Sequence, residues 1–346
     1  MLVFFAEKPS TIINGISLTN KRMYNILKAN QKVLWIEEFG YRKLVKEILS
    51  VLKVLKIVIC ERKIKYFYCV IHASAFGLIK IIIILKLINI FNKNIKFLFH
   101  IHRNDVLKNI SKNSLNKWTL NYIKKNQKYI CMIFCISKKL KIDLNKFFEN
   151  KIKILIKRNT LSFNHKIKAK TSFLQVKKIK LIYLSNIIKS KGILNLCEEI
   201  SKKKFHNLYD LSIYGEILDL SSKFFFKNKK FKNIFIKKPL KDNKLKFNIL
   251  KNFDALILPS KNEGDPLCII EAMSVGLPTI CYNVGYINET LGNKYDLYLN
   301  NNSLFKIYKK LKSTIYRKKI SCYLVHKFKK RYKESRLSDY NVNKNF

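Results

Sequence analysis

Two glutamates, Glu263 and Glu271, are the residues best placed to do chemistry. Glu263 closes the polar, breaker-rich run Pro259-Ser260-Lys261-Asn262-Glu263-Gly264, which reads as a loop. Glu271 sits in an otherwise apolar stretch that includes Leu267, Ile269, Ile270, Ala272 and Met273. A carboxylate buried on such a helix needs a partner, because an unpaired buried charge costs several kcal/mol. The first amides of that helix, those of Leu267 and Cys268, have no intrahelical acceptor and form an anion site. Leu267 and Glu271 are one turn apart and share a face. Phosphate-binding amides beside a carboxylate that can take hydroxyl hydrogen bonds suit a phosphorylated sugar or a nucleotide. A structural pairing of Glu271 with a lysine is the other reading, and the residues alone leave both open.

Other groups join these two. Lys191, followed by Gly192, can act as a compact point charge on a diphosphate or as one more solvated lysine. In Phe97-Leu98-Phe99-His100-Ile101-His102-Arg103, the two histidines fall at the end of a strand and share a face by the period of two. Eight cysteines occur, but Cys131 and Cys135, the closest pair, have no second pair or histidine cluster with them. Zinc is therefore not expected, and free thiols in a reducing cytosol are.

The elements that position these residues alternate strand and helix. Residues 254–258 are a short apolar run suited to a buried parallel strand. Asp265 can cap the following helix with Pro266 at its first position, and Gly276 with Pro278 ends it. Residues 279–284 read as the next strand. The loop carrying Glu263 thus lies at the carboxyl end of a strand, where open α/β sheets bind ligands.

Upstream, residues 2–6 are a strand and Asn14-Gly15 leads into a helix. That opens a nucleotide-type α/β unit and makes Gly15 a candidate for a ligand contact. Residues 41–55 form an amphipathic helix with Leu44, Ile48, Val51, Leu52 and Leu55 on one side. That helix can pack on the core or lie on an anionic membrane. The run 78–91 is too short to span a bilayer and contains Lys80 and Lys86, so it reads as a buried or interfacial helix. Ser137 fits a helix N-cap. Strands are expected at 64–71, 95–101, 129–136, 151–156, 179–184, 210–214 and 233–236. Domain boundaries are expected as 1–160, a linker region at 161–178, 179–332, and a polar, fraying tail at 333–346.

The set Glu263-Gly264-Asp265-Pro266, Glu271-Ala272-Met273, Gly276-Leu277-Pro278, Gly285 and Glu289 resembles the E-x7-E region of family 4 retaining glycosyltransferases. Ser185-Asn186 followed by Lys191-Gly192 resembles the first donor-domain loop of that family, with Asn186 where an arginine is more common. The resemblance implies an α/β GT-B fold, two facing Rossmann-like domains with an interdomain cleft. It implies a nucleotide-sugar donor held by the C-terminal domain, with Glu263 on the donor sugar, Glu271 on the ribose and Lys191 on the diphosphate. Asn186, Gly264, Pro266, Leu267 and Cys268 complete the donor site, and His102 faces the acceptor and the reacting sugar. Transfer would retain the anomeric configuration. No cofactor is expected beyond the donor, and no Asp-x-Asp motif points to a metal.

The charge is extreme, 70 Lys+Arg against 22 Asp+Glu. A specific nucleic-acid reader would interleave aromatic platforms or a recognition motif with that charge, and none is present. An anionic membrane surface and plain coding bias toward Lys, Ile and Asn remain as its readings. The expected partners are thus a nucleotide-sugar, a glycan or lipid-linked acceptor and an anionic membrane surface. The start of the chain shows no cleavable signal pattern, so a cytoplasmic protein, peripheral on the inner membrane face, is expected. A GT-B protein that has lost activity but binds lipid or a partner is the alternative that Asn186 keeps in view.

Overall fold

The computed structural model describes residues 1–9, 15–39, 44–72, 74–103, 107, 114–161, 169, 170, 172–300 and 303–343. The chain divides into one unit of Met1–Asn159 with Glu334–Phe346 and a second of Thr160–Lys333. Part of the expected linker, residues 162–168 and 171, lies outside the described residues.

The first unit is a six-stranded parallel sheet in the order β2-β1-β3-β4-β5-β6. Its strands are β1 (Leu2–Ala6), β2 (Val33–Glu37), β3 (Tyr66–Val70), β4 (Lys96–Ile101), β5 (Ile130–Cys135) and β6 (Lys153–Ile156). Between them run α1 (Gly15–Lys28), α2 (Leu44–Cys60), α3 (Ala75–Phe91), α4 (Ser114–Lys125) and α5 (Lys138–Phe147). Parallel strands covered on both faces must be apolar on both, which is why they read as near-continuous runs. One face, with Leu2, Phe4, Ala6, Tyr68, Val70, Leu98 and Phe134, packs with Met23 and Leu27 of α1. Ser74 caps α3 by accepting from the Gly77 N–H at 3.2 Å. Ser137 caps α5, as expected, accepting from the Leu140 N–H at 2.9 Å.

The second unit is a five-stranded parallel sheet in the order β11-β10-β7-β8-β9. Its strands are β7 (Ile179–Leu184), β8 (Tyr209–Tyr214), β9 (Ile234–Lys237), β10 (Ala255–Leu258) and β11 (Thr279–Cys281). Its helices are α6 (Ile193–Ser201), α7 (Leu220–Asn228), α8 (Asn243–Lys251), α9 (Leu267–Ser274), α10 (Ile287–Leu291) and α11 (Ser303–Lys312), followed by α12 (Thr314–Asn343). From β7 the chain steps outward through β8 to β9, then returns to place β10 on the other side of β7. The gap between the carboxyl ends of β7 and β10 is therefore the topological switch point, the crevice where such sheets take ligands.

Two local expectations change. Residues 333–343 are not a fraying tail but the last turns of α12. They are held by long-range bonds that local sequence does not show. Arg22 bonds Asp339 at 2.6 Å and Ser335 at 2.9 Å, Ser338 donates to the Ile156 carbonyl at 3.1 Å, and Val342 is buried. Of the two readings of the α2 stripe, packing on the core or lying on a membrane, the first does not hold, since the stripe is exposed at Leu44, Ile48 and Leu52. The buried side of that helix instead carries Glu47, Ser50, Val54 and Val58.

Candidate functional site

At the switch point, the loop after β7 meets the loop after β10. Tyr183, at the end of β7, donates its hydroxyl to the Asn186 carbonyl at 2.8 Å, and the Ile187 amide donates to the Glu216 carbonyl at 2.8 Å. The loop then makes one tight turn (Lys189–Lys191) and reaches Gly192 at φ 72°. Only glycine fits there: a Cβ would stand 2.3 Å from the Pro259 carbonyl oxygen. That close approach carries Lys191 to the β10 loop, where its ammonium lies 2.5 Å from Glu263 Oε1. Glu263 is buried, and Lys191 is about a quarter exposed, at 26%.

Helix α9 follows at once. Its N-cap is Pro266, in extended backbone with no side-chain cap bond, and the helix begins at Leu267. Asp265 therefore does not cap it, contrary to the local pattern. Arg331 and Thr290 hold its carboxylate instead, Thr290 Oγ1 donating at 3.3 Å. At the other end Gly276, at φ 67°, lets the Leu277 amide return to the Ala272 carbonyl at 2.9 Å, the stop expected of it. Gly264 accepts from the Tyr286 amide at 3.4 Å, which ties the loop to the residue before α10.

Glu271 is buried one turn into α9 and takes the Lys246 ammonium on Oε1 at 2.8 Å. Burial pushes its carboxyl above the usual carboxylate range, and Lys246 offsets only part of that. Cys268 connects the groups electrostatically. Burial first, then the charges of Glu263 and Glu271, push its thiol up to about 12, with Lys191 opposing them. One neighbourhood thus joins Lys191, Glu263, Cys268 and Glu271 with the first amides of an eight-residue helix. It offers a cation and backbone donors for a diphosphate and two carboxylates for hydroxyls.

The remaining candidates lie in the first unit. Gly15 opens α1, and its carbonyl accepts from Thr19 Oγ1 at 2.8 Å; Asn14 lies outside the described residues. His102 follows the last residue of β4 and its ring stands 3.9 Å from that of His100. Their shared side is what the period of two requires. His100 Nδ1 bonds the Tyr68 hydroxyl at 2.7 Å. Burial, then the nearby His72, holds His102 down at about 3, with Glu38 opposing. It is therefore a neutral imidazole at physiological pH, and its Nε2 is buried without a hydrogen-bond partner among the described residues.

A polar cluster of Glu38, Glu47, His72 and Lys80 was not read as a cluster from the sequence. Glu38, just past β2, accepts from His72 Nε2 at 2.9 Å and pairs with Lys80, which also reaches Glu47 Oε1 at 2.6 Å. Burial would raise the Glu38 carboxyl, yet His72 and Lys80 hold it at about 2. The available signals were polar residues at strand ends and single charges, Lys80 and Glu47, inside apolar helical runs. Among the described residues no group of three or more His, Cys, Asp or Glu side chains is placed to hold a metal ion. All eight cysteines are free thiols.

Two Rossmann-like units of parallel sheet, with a polar cluster at the switch point of the second, define the GT-B class of α/β fold. Residues 164–317, which lie within the second unit, match the family model described as glycosyl transferases group 1. A 52-residue stretch, 15% of this chain and 13% of the relative, is 48% identical to the Escherichia coli UDP-Gal:alpha-D-GlcNAc-diphosphoundecaprenol alpha-1,3-galactosyltransferase. The fold is similar to a variant of S. aureus TarM solved with Fondaparinux, alpha-GlcNAc-glycerol and UDP, at TM-score 0.59 and 19% identity over 87% of this chain. This chain spans 59% of that protein. It is also similar to the lipopolysaccharide outer core galactosyltransferase WaaB, at TM-score 0.61 and 11% identity, with 99% of each chain covered.

Proposed function

We propose that this protein is a retaining, family 4-like glycosyltransferase that moves a sugar from a nucleotide-diphosphate sugar to a glycan or lipid-linked acceptor in cell-surface polysaccharide synthesis. The observation that carries the reading is the convergence of Lys191, Glu263 and Glu271 at the first turn of α9, inside the stretch that matches the family model. In this reading Lys191 and the Leu267 and Cys268 amides take the diphosphate, with Asn186, Gly264 and Pro266 shaping the loops around it. Glu271 accepts from the ribose hydroxyls and Glu263 from the donor sugar. His102, kept neutral by burial, bonds a sugar hydroxyl near the reacting carbon, and Gly15 contributes a close backbone approach. The bond from the anomeric carbon to the diphosphate oxygen breaks, and one to the acceptor oxygen forms on the same face. The acceptor proton leaves with the diphosphate. The metal-independent part of the proposal rests on the missing Asp-x-Asp motif.

The cell-surface part rests on the E. coli relative, whose acceptor is a diphosphoundecaprenol, and on WaaB, which acts on lipopolysaccharide. Because that relative uses UDP-Gal and the TarM variant binds UDP, UDP-sugars are the first donors to test. The test is isothermal calorimetry of UDP, uridine and UDP-sugars, with GDP- and ADP-sugars as controls. Wild-type protein binds one nucleotide diphosphate, and Lys191→Ala weakens the diphosphate roughly tenfold or more while leaving the nucleoside within about twofold. Equal loss for both, or no nucleotide binding at all, rejects the site. Asn186, standing where an arginine is more common, keeps a second reading alive, a binding protein without turnover. Nucleotide-sugar affinity with no transfer to any lipid-linked acceptor selects it.

A further inference from the structure

Helix α2 is amphipathic in the inverted sense. Its buried side carries Glu47, Ser50, Val54 and Val58, and Glu47 is consumed there by Lys80 and the Phe39 amide at 2.6 Å each. Leu44, Val45, Ile48, Leu49, Leu52 and Ile59 are all at least half exposed, up to 72% at Val45. At 3.6 residues per turn these six fall within an arc of about 140°. The next helix continues the surface. Helix α3 packs against both α2 and α4 and exposes Ile83, Ile90 and Phe91, while α4 exposes Trp118. An apolar side chain in water costs about 25 cal/mol per Å², and soluble proteins do not collect them on three adjacent helices without a use.

The charge around the patch chooses the occupant. Lys46 and Lys53 flank the α2 stripe on one edge, exposed Lys56 falls within it, and Lys86 is exposed on α3. The three helices contain one acidic residue, Glu47, and it is buried. A second copy of the chain would set this lysine rim against itself. An acidic protein partner would satisfy the lysines but would not call for an apolar stripe this long. A lamellar surface of anionic headgroups over hydrocarbon satisfies both at once.

We propose that α2, with the exposed edges of α3 and α4, is a membrane-docking face that lies in the headgroup region of an anionic lipid surface, leucines inward and lysines on phosphates. Helix length agrees with lying on the surface rather than crossing it: among the described residues no helix is long and apolar enough to span a membrane. This surface is independent of the transferase reading, since every residue in it belongs to the first unit and none is assigned to donor chemistry.

The test is flotation of the full-length protein with phosphatidylcholine vesicles, with and without about one third phosphatidylglycerol, in low salt and in about 0.5 M salt, where screening acts over a few Å. Net charge alone binds anionic vesicles through any basic surface and lets go in salt. The docking face predicts a salt-resistant fraction on anionic vesicles that the exposed triple variant Ile48→Ser, Leu49→Ser, Leu52→Ser lowers roughly tenfold or more. The variant's melting temperature stays at the wild-type value, because those side chains are already in water. A solvent-sensitive fluorophore on Leu52→Cys shifts to the blue on anionic vesicles. Wild-type salt-resistant binding by the triple variant overturns the proposal, as does an unshifted fluorophore. So does concentration-dependent dimerisation that the triple variant abolishes in the absence of lipid.

Discussion

Removing one ammonium separates the structural part of Glu271 from its proposed contact with a nucleotide. Lys246→Met keeps most of the aliphatic stem and deletes the charge that Glu271 meets at 2.8 Å. Both side chains are nearly out of water, 10% and 9% exposed, so the exchange leaves a carboxylate alone in a dry site. Deleting one member of a buried pair costs about 3–5 kcal/mol. For a unit of this size that lowers the melting temperature by roughly 10 °C. The loss depends on pH, and its sign follows from burial. Desolvation already holds the Glu271 carboxyl above the usual range while Lys246 is present, and without Lys246 it rises further. A carboxyl with a raised folded pKa contributes stability that is complete below its unfolded value, about 4.3, and is lost as pH climbs through the folded one. The variant is therefore closest to wild type near pH 4 and furthest from it at neutral pH. The double variant Lys246→Met, Glu271→Gln leaves no charge at that pair of positions and recovers most of the melting temperature, yet it still fails to bind the nucleotide-sugar. Calorimetric melts from pH 4 to 8, with donor binding measured on each variant, read both quantities. A deficit that is flat with pH refutes the electrostatic account, and wild-type turnover in the double variant refutes the ribose contact.

Two further substitutions test the frame of the site. Gly192→Ala forces a left-handed φ of 72° on a residue with a Cβ and sets that carbon 2.3 Å from the Pro259 carbonyl. A cost of at least about 2 kcal/mol and a weaker diphosphate affinity are expected, since the Lys191 turn must move. Wild-type melting and affinity would show that the turn has slack. His102, held at about 3 by burial, binds its proton only after unfolding, so the folded state loses stability as pH falls from about 6.5 toward 3. Swapping it in His102→Gln moves the acid-unfolding midpoint of the first unit to lower pH, and an unchanged midpoint contradicts its burial as a neutral imidazole.

What could be read ahead of the structure divides by the range of the interaction. The strands were legible because burial on both faces leaves its mark residue by residue, and the strand at 179–184 was located to the residue as β7. So were the stop at Gly276 and the cap at Ser137, which are made within a few positions of chain. Lys191 and Glu263 could be named separately, but their 2.5 Å contact depends on β10 returning beside β7. Asp265 shows the same limit from the other side. Its local pattern is that of a helix cap, yet a guanidinium from Arg331 and a hydroxyl from Thr290 take both oxygens, and neither is near in sequence.

Periodicity fails for a different reason in α2. A period of 3.6 fixes which residues share a face but not which face is inside, and there the tie was broken by a distant group. Lys80 on α3 is buried above Phe5, 5.4 Å from its ring, and needs carboxylates, which Glu38 and Glu47 supply. Once Glu47 is drawn to the sheet side, Ser50, Val54 and Val58 follow it inward on the same face, and Ile48, Leu49 and Leu52 on the opposite side must point to solvent. The outward apolar stripe is thus the geometric consequence of a buried ion cluster, and the energy that holds it out is that of Lys80 with its two carboxylates. Neutralising the cluster should loosen the orientation of α2 before it touches anything at the switch point of the second unit.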